Sequence, residues 1–194
     1  MKVLKFGGTS VGTVESLKAV LGIVKKSYDA KEKPLVVLSA MSGVTNLLTQ
    51  LAEDAAEGKS FSEGLKSLED RHFTVVKELL AVKYQNPVFT KLKLFFNEIE
   101  DLLQGIFALK ELSYQSKDLI LSYGERCSNY MVSKVMEQYV PESLFVDASH
   151  YVKTDSNFGN AHLNETLTEQ LVKSLYISHG DKLLFVTGFI GSNE

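Results

Sequence analysis

Three predicted strands are each followed by a turn that is rich in glycine and hydroxyl residues. The turns occupy residues 5–10, 39–46 and 187–192. In open α/β sheets, ligands bind outside the carboxyl ends of the strands. There, glycines let backbone N–H groups approach an anion, and a helix N-terminus adds its dipole. A single glycine turn is common in α/β proteins, but the three together predict an anion-binding site.

Lys5 is the residue in these turns whose charge could act on a bound anion. The sequence predicts that it lies at the end of a buried strand, beside Gly7 and Gly8. A buried ammonium group costs free energy unless an anion neutralises it, so this arrangement predicts a phosphate clamp. In the alternative, the lysine stem lies along apolar surface and its ammonium group reaches water at the sheet edge. The sequence contains neither a Walker loop nor a dinucleotide-binding fingerprint.

Glu125 is a candidate partner for a positively charged substrate group. It lies on a predicted helix beside the small residues Gly124, Cys127 and Ser128, which predict close packing at this turn of the helix. A carboxylate there could accept hydrogen bonds from a substrate ammonium group. The alternatives are an ion pair with Arg126 or a solvated helix face.

The histidines and the single cysteine do not suggest a metal site. The four histidines are scattered, and no H-x-x-x-H or C-x-x-C spacing occurs. His72 lies on an apolar helix face and is predicted to be a packed core residue. Cys127 belongs to an apolar ladder and is also predicted to serve packing.

Four short apolar segments predict the strands that position these residues. Between them, helical periodicity begins at Val14 and again after Asn164, which is a plausible N-cap. The alternation of strand and helix predicts an α/β fold with a mostly parallel sheet that is covered on both faces. The predicted strands are residues 2–6, 35–39, 144–147 and 183–187.

A long region without strands, from about residue 46 to 139, predicts a helical insertion. Apolar faces over residues 65–79 and 92–106 predict a helical hairpin, with Asn86 and Pro87 at the break. A third helix carries an apolar residue at every fourth position from 119 to 135. The last strand and turn have no helix after them, so we expect a single domain that is part of a longer chain.

Composition limits the classes of partner. The chain has 194 residues, of which 44% are hydrophobic and 23% charged, with a net charge of -3. A mildly acidic chain without a basic block is a poor candidate for binding nucleic acid or an anionic membrane. The sequence shows no signal peptide and no apolar run near the roughly 18 residues of a membrane span. With one cysteine and therefore no intrachain disulfide, the sequence predicts a cytoplasmic protein.

The run Lys-Phe-Gly-Gly-Thr-Ser-Val at residues 5–11 resembles the aspartokinase signature. Residues 36–48, 122–125, 154–161 and 187–191 resemble later motifs of the same family, in the same order. The resemblance covers essentially all 194 residues. It implies the amino-acid-kinase fold, a three-layer αβα sandwich, and phosphorylation of the β-carboxyl group of L-aspartate by MgATP.

The resemblance also implies roles for individual residues. Lys5 would stabilise the transferring phosphoryl group, and Glu125 would bind the α-ammonium group of aspartate. Mg²⁺ would be bound through ATP, with no metal ligand from this chain. The ATP and phosphate loop would comprise Lys5, Phe6, Gly7, Gly8, Thr9 and Ser10, and the aspartate pocket would comprise Ser39, Thr45, Glu125, Phe189 and Gly191.

The sequence departs from the family pattern in two places. Aspartokinases often carry arginine in the loop that here contains Ser156, Asn157 and Asn160, which puts a direct carboxylate contact from that loop in doubt. The family also continues beyond residue 194 with an arginine for the substrate, an aspartate that organises transfer, the nucleotide-binding half and regulatory domains. The resemblance therefore implies that residues 1–194 are the N-terminal part of a catalytic domain, and that the full-length protein is a homo-oligomer.

Two other functions remain open at this point. The first is another carboxylate or carbamate kinase of the same fold, against which the signature at residues 5–10 argues. The second is a non-catalytic amino-acid-binding or regulatory module, because the nucleotide-binding half is not in the sequence.

Overall fold

The computed structural model describes residues 2–193 as an α/β fold. Four strands form one parallel sheet in the order β1-β2-β4-β3. The predicted strands are confirmed, each with ends within one residue of the prediction. The elements, in chain order, are β1 (Val3–Phe6), α1 (Val14–Asp29), β2 (Leu35–Leu38), α2 (Val44–Ala56), α3 (Ser62–Leu79), α4 (Val82–Leu109), α5 (Tyr114–Glu137), β3 (Ser143–Val146), a 3-10 turn (Ala148–His150), α6 (Glu165–His179) and β4 (Leu183–Thr187).

Local sequence determines where the two crossover helices begin. Thr13 caps α1 in a reciprocal capping box with Ser16. The predicted N-cap of α6 is confirmed, because the Asn164 side chain accepts a hydrogen bond from the Leu167 N–H group at 3.1 Å. These caps satisfy N–H groups that have no partner inside a helix.

The predicted helical hairpin is present, but its break lies elsewhere. Helices α3 and α4 pack against each other, and the chain turns at Leu80 and Ala81. Pro87 lies inside α4, so the prediction of a break at Asn86 and Pro87 is wrong. Pro87 lies near the start of α4, in a stretch that is mostly exposed, and there it removes one backbone hydrogen bond without ending the helix.

The two faces of the sheet are covered unequally. Alternate residues such as Leu38 and Phe185 face the main core, which the sheet shares with helices α1–α5. The opposite face carries a small cluster of Val146, Leu175 and Leu184, in which Leu175 comes from α6. The layers are therefore helix, sheet and helix, with five helices on one side and one on the other in the part of the chain that is described.

Strand β1 shows where the second layer ends. Val3 is 52% exposed and Lys5 is also exposed. The expectation that every strand is covered on both faces is therefore wrong for β1. The physical reason is that α6 packs through Leu175 over β3 and β4, at the other side of the sheet.

No helix among residues 2–193 is long and apolar enough to cross a membrane.

His72 on α3 is a packed core residue, as predicted. It is 1% exposed, its ring packs edge-on to Phe96 at 5.5 Å, and its Nδ1 donates to the Leu68 carbonyl at 2.8 Å. Its Nε2 atom has no hydrogen-bond partner among residues 2–193. Burial lowers the pKa of His72 from 6.5 to about 4, because the charged ring would lose its hydration.

This buried histidine is expected to make the fold sensitive to acid. The unfolded chain takes up a proton at His72 below about pH 6.5, whereas the folded chain does so only near pH 4. The contribution to stability is therefore present above pH 6.5 and is lost as the pH falls, by roughly 3 kcal/mol in total. Urea unfolding between pH 7 and 4 should show a shallower decline for His72→Leu than for the wild type.

The matched control for this test is His150→Gln, at an exposed histidine, which should keep the wild-type decline. Equal declines in the wild type and in His72→Leu would show that protonation of His72 is not coupled to unfolding.

Candidate functional site

The turns that follow β1 and β2 touch each other at the carboxyl edge of the sheet. The Ser39 N–H group donates to the Phe6 carbonyl at 3.1 Å, and the Ser42 N–H group donates to the Gly8 carbonyl at 3.1 Å. A Cβ atom on Gly8 would lie 3.1 Å from the Ala40 carbonyl oxygen, so glycine permits this approach. The parallel register of β1 and β2 thus brings two of the three predicted turns into one surface.

This surface presents backbone N–H groups that are free to bind an anion. The N–H groups of Gly7, Gly8 and Thr9 find no acceptor among residues 2–193. Gly43 adopts a left-handed conformation (φ +80°) and begins α2 without a side-chain cap. Thr45 lies in the first turn of α2, where N–H groups have no partner inside the helix. Both turns therefore offer donors together with a favourable helix dipole.

Glu125 lies beside this surface and lacks a cationic partner. It is 7% exposed, and its Oε1 accepts a hydrogen bond from the Ala40 N–H group at 3.2 Å. Arg126 instead pairs with Asp147, with 2.8 Å between Nε and Oδ2. Glu125 therefore does not pair with Arg126, and no ion pair within residues 2–193 involves it. Because it is buried, it does not lie on a solvated helix face either.

Burial has an electrostatic consequence for Glu125. The loss of hydration raises the pKa of its carboxyl group, and the hydrogen bond from the Ala40 N–H group offsets part of that rise. Such a group is stabilised by any cation that enters the site. The structure thus places a buried carboxylate and a set of anion-binding N–H groups next to each other, which suits a ligand that carries both charges.

Asn129 is a polar residue of the site region that the sequence analysis missed. Its Nδ2 donates to the Leu38 carbonyl at 2.9 Å and to the Glu125 carbonyl at 2.9 Å. The Leu38 carbonyl also accepts from the Gly188 N–H group at 2.9 Å. Asn129 lies one helical turn after Glu125 and next to the small residue Ser128, and this spacing was the signal that could have found it. Asn129 fixes α5 against β2 and therefore fixes the position of Glu125.

The third turn, after β4, lies beside the second turn. Its two predicted site residues, Phe189 and Gly191, have different environments. Thr187 is 2% exposed, and its hydroxyl accepts from the Ala148 N–H group at 2.8 Å. Gly191 packs against Thr154, since a Cβ atom on Gly191 would lie 2.9 Å from the Thr154 Cγ2 atom. Phe189 is 100% exposed and has a left-handed backbone (φ 58°). The aspartate-binding role of Phe189 and Gly191 stays a prediction.

The loop after residue 153 folds into a small antiparallel turn. Thr154 and Leu163 form a bridge, and the Asp155 carboxylate accepts from the N–H groups of Asn157 and His162. The Gly159 N–H group donates to Asp118 of α5 at 2.6 Å. The polar groups of this loop are thus used to hold its own shape.

Lys5 occupies a position that the sequence analysis described incorrectly. It pairs with Val37 in the β1–β2 register but is exposed, because its side chain leaves the sheet on the poorly covered face. The argument that a buried ammonium group demands an anion therefore does not hold. Lys5 forms no ion pair with any residue from 2 to 193. Its position two residues before Gly7 still makes it a candidate for binding an anion.

Gly124 allows Glu125 to approach the second turn. A Cβ atom on Gly124 would lie 2.9 Å from the Ala40 Cβ atom and 3.2 Å from the Val44 Cγ1 atom. Neither atom is the far end of a flexible chain, so Gly124→Ala should push α5 away from Ala40. We expect a loss of about 1–3 kcal/mol in the free energy of unfolding, measured by urea denaturation.

A second glycine provides the control for that substitution. A Cβ atom on Gly105 of α4 would point into open space, with no atom packed within 4 Å of it. Gly105→Ala should therefore stabilise the protein by about 0.5–1 kcal/mol. If Gly124→Ala were equally harmless, the tight contact between α5 and the second turn would be disproved.

The sequence of this chain is similar to proteins of a known family. The sequence profile of the Amino acid kinase family matches residues 1–194. The chain belongs to this family. It is 31% identical to Aspartokinase 1, chloroplastic, of Arabidopsis thaliana, over 97% of this chain and 33% of that protein. It is 30% identical to Lysine-sensitive aspartokinase 3 of Escherichia coli (strain K12), over 99% of this chain and 41% of that protein.

Solved structures show the same relationship. The crystal structure of E. coli aspartokinase III in complex with aspartate and ADP superposes with a TM-score of 0.87 at 26% identity. The match covers 100% of this chain and 42% of that one. The predicted α/β fold and the resemblance to aspartokinases are therefore confirmed. The chain spans about a third to two fifths of the length of these relatives.

Proposed function

We propose that this amino acid kinase family chain is the amino-acid-binding part of an aspartokinase. The longer protein would phosphorylate the β-carboxylate of L-aspartate with ATP to give 4-phospho-L-aspartate, the first step in the biosynthesis of lysine, threonine and methionine. The observation that carries the proposal is Glu125, a buried carboxylate that has no cationic partner and accepts a hydrogen bond from the turn after β2. The similarity to a structure that contains aspartate and ADP supports it.

The proposed substrate matches the two kinds of charge in the site. Glu125 would bind the α-ammonium group of aspartate, and this charge pair would replace the hydration that burial removes. Ser39 and Thr45 would contact the substrate from the second turn, where Thr45 lies at the open start of α2. The β-carboxylate is itself the nucleophile in this reaction, so the mechanism requires no strong general base.

The first turn fits the phosphates of a nucleotide. Free N–H groups of Gly7, Gly8 and Thr9 follow Lys5 closely in sequence, and its exposed ammonium group is accessible to a ligand. Phosphoryl transfer is accelerated mainly by positioning and charge neutralisation, which such groups supply. No group of three or more His, Cys, Asp or Glu within residues 2–193 could hold a metal. In the proposal, Mg²⁺ enters the site bound to the phosphates of ATP.

The lengths of the relatives suggest where the remaining machinery would lie. Because the chain spans 33% and 41% of two aspartokinases, we include in the proposal that residues 1–194 form the N-terminal part of a longer catalytic domain. The helical insertion of that domain would comprise α2–α5. The nucleotide-binding half and the contacts that make a homo-oligomer would come from further sequence.

A non-catalytic amino-acid-binding module is the second candidate. It is favoured by Glu125 and the second turn, whose groups suit an amino acid and need no nucleotide. Another carboxylate or carbamate kinase of this fold would need the same N–H groups but not the unpaired Glu125.

Separate calorimetric titrations of the full-length protein with L-aspartate and with MgATP distinguish these candidates, because an aspartokinase binds both. A binding module takes up aspartate and shows no heat with MgATP. In the aspartokinase proposal, residues 1–194 alone form negligible aspartyl phosphate, and the full-length protein forms it at about 1–100 per second. A full-length protein that binds aspartate but does not phosphorylate it would contradict the proposal.

A further inference from the structure

Arg71 of α3 bridges the first two turns of the candidate site. One terminal nitrogen, Nη1, donates to the Ser42 carbonyl at 2.8 Å, and the other, Nη2, donates to the Gly12 carbonyl at 3.0 Å. Ser42 belongs to the turn after β2, and Gly12 lies in the short segment that joins the turn after β1 to α1. A planar guanidinium group can span two acceptors in this way, whereas an ammonium group acts from a single point.

The bridge adds two side-chain hydrogen bonds to the direct contacts between the two turns. Beyond the sheet itself, the Ser42 N–H group donates to the Gly8 carbonyl at 3.1 Å. A Cβ atom on Gly12 would lie 2.9 Å from the Ser42 Cβ atom, so the two backbones are in close contact there. Glycine-rich turns gain much conformational freedom when such contacts are lost. Arg71 therefore restrains both turns by binding one carbonyl group beside each of them.

The bridge also fixes the direction in which the Gly43 N–H group points. The peptide bond between Ser42 and Gly43 is planar and trans, so its N–H points opposite to the carbonyl that Arg71 holds. The Gly43 N–H group has no acceptor among residues 2–193. Arg71 itself forms no ion pair within those residues, so its positive charge remains available behind both turns.

We propose that Arg71 is a positioning residue that holds the turns after β1 and β2 in the arrangement needed to bind the anionic groups of the substrates. The proposal rests on the proposed function for its ligands, but the bridge itself can be tested without them. Loss of the bridge should free the two turns while the helices and the sheet keep their stability.

Hydrogen exchange of the ligand-free chain, read by mass spectrometry, tests the bridge directly. In Arg71→Met, the hydrogen-bonded amides of the two turns, such as those of Ser10, Val11 and Ser42, should exchange on the order of tenfold faster, because two charge-assisted hydrogen bonds are lost. Arg71→Lys should be intermediate, since it keeps the charge but reaches one carbonyl at a time. Lys77→Met, which removes an exposed charge from the same helix, should leave both turns unchanged.

Aspartate affinity then links the bridge to function. We expect calorimetry to show about tenfold weaker binding to Arg71→Met, partial recovery in Arg71→Lys and no change in Lys77→Met. Faster exchange over the whole chain, or unchanged exchange in the two turns, would overturn the proposal. The proposal would also be overturned if the wild type binds aspartate and Arg71→Met frees the turns without any loss of affinity. If the wild type binds no aspartate while the turns are freed as expected, the positioning of the turns by Arg71 is supported and the proposed substrate is wrong.

Discussion

Glu125→Gln is expected to weaken L-aspartate binding by about 2–5 kcal/mol, which is at least ~30-fold in Kd. The amide keeps the shape of the side chain, so it still accepts from the Ala40 N–H group and still packs beside Gly124. What is lost is the negative charge that would face the α-ammonium group of the substrate. Calorimetric titration measures the loss, and MgATP binding by the full-length protein should change little.

The same substitution should not destabilise the ligand-free protein. Burial raises the pKa of Glu125 above 4.5, so the wild type loses stability as the pH rises from 4.5 through the folded-state pKa. A neutral glutamine removes this loss, and urea unfolding at pH 7 should show a variant at least as stable as the wild type. A residue that lowers stability but is required for binding is characteristic of a functional site.

Glu69→Gln is the matched control for this experiment. Glu69 is also buried, at 5% exposed, but it pairs with Lys93 at 2.8 Å and Lys66 at 3.3 Å. Removing its charge should lower stability and leave aspartate affinity unchanged. Equal losses of aspartate and MgATP affinity in Glu125→Gln, or no loss for aspartate, would show that Glu125 has a structural role only.

Lys5→Ala in the full-length protein is expected to lower kcat about 10²–10³-fold with a much smaller change in the KM for aspartate. A charge that is aimed at the transferring phosphoryl group acts mainly in the transition state, so its loss appears in turnover. Because Lys5 is exposed and forms no ion pair within residues 2–193, the substitution should leave the free energy of unfolding nearly unchanged. Steady-state kinetics and urea denaturation together measure both effects.

Lys2→Ala removes an equal charge from the adjacent part of the chain. Lys2 pairs with Glu32 at 2.7 Å on the surface, and such pairs contribute little to stability. Its replacement should leave turnover unchanged. If Lys5→Ala kept turnover within about twofold of the wild type, the interpretation of Lys5 as a surface lysine would be correct.

The sequence predicted the element types because they depend on local patterns. Continuous apolar runs predicted the parallel strands, and the cap at Asn164 marked the start of α6. The same local reasoning failed at Pro87. There, the turn of the chain lies at the extended residues Leu80 and Ala81, and the proline falls near the start of α4, where it costs one backbone hydrogen bond without ending the helix.

The sequence by itself determined that three turns rich in glycine follow strands and that Glu125 lies on a helix among small residues. Only the tertiary structure decided that Glu125 meets the Ala40 N–H group, 85 residues away in sequence, while Arg126 pairs with Asp147. It also decided that Lys5 is exposed, because the helix α6 covers a different part of the sheet. The physical reason is that periodicity records which residues an element can bury, whereas burial and ion pairing depend on which other elements pack against it.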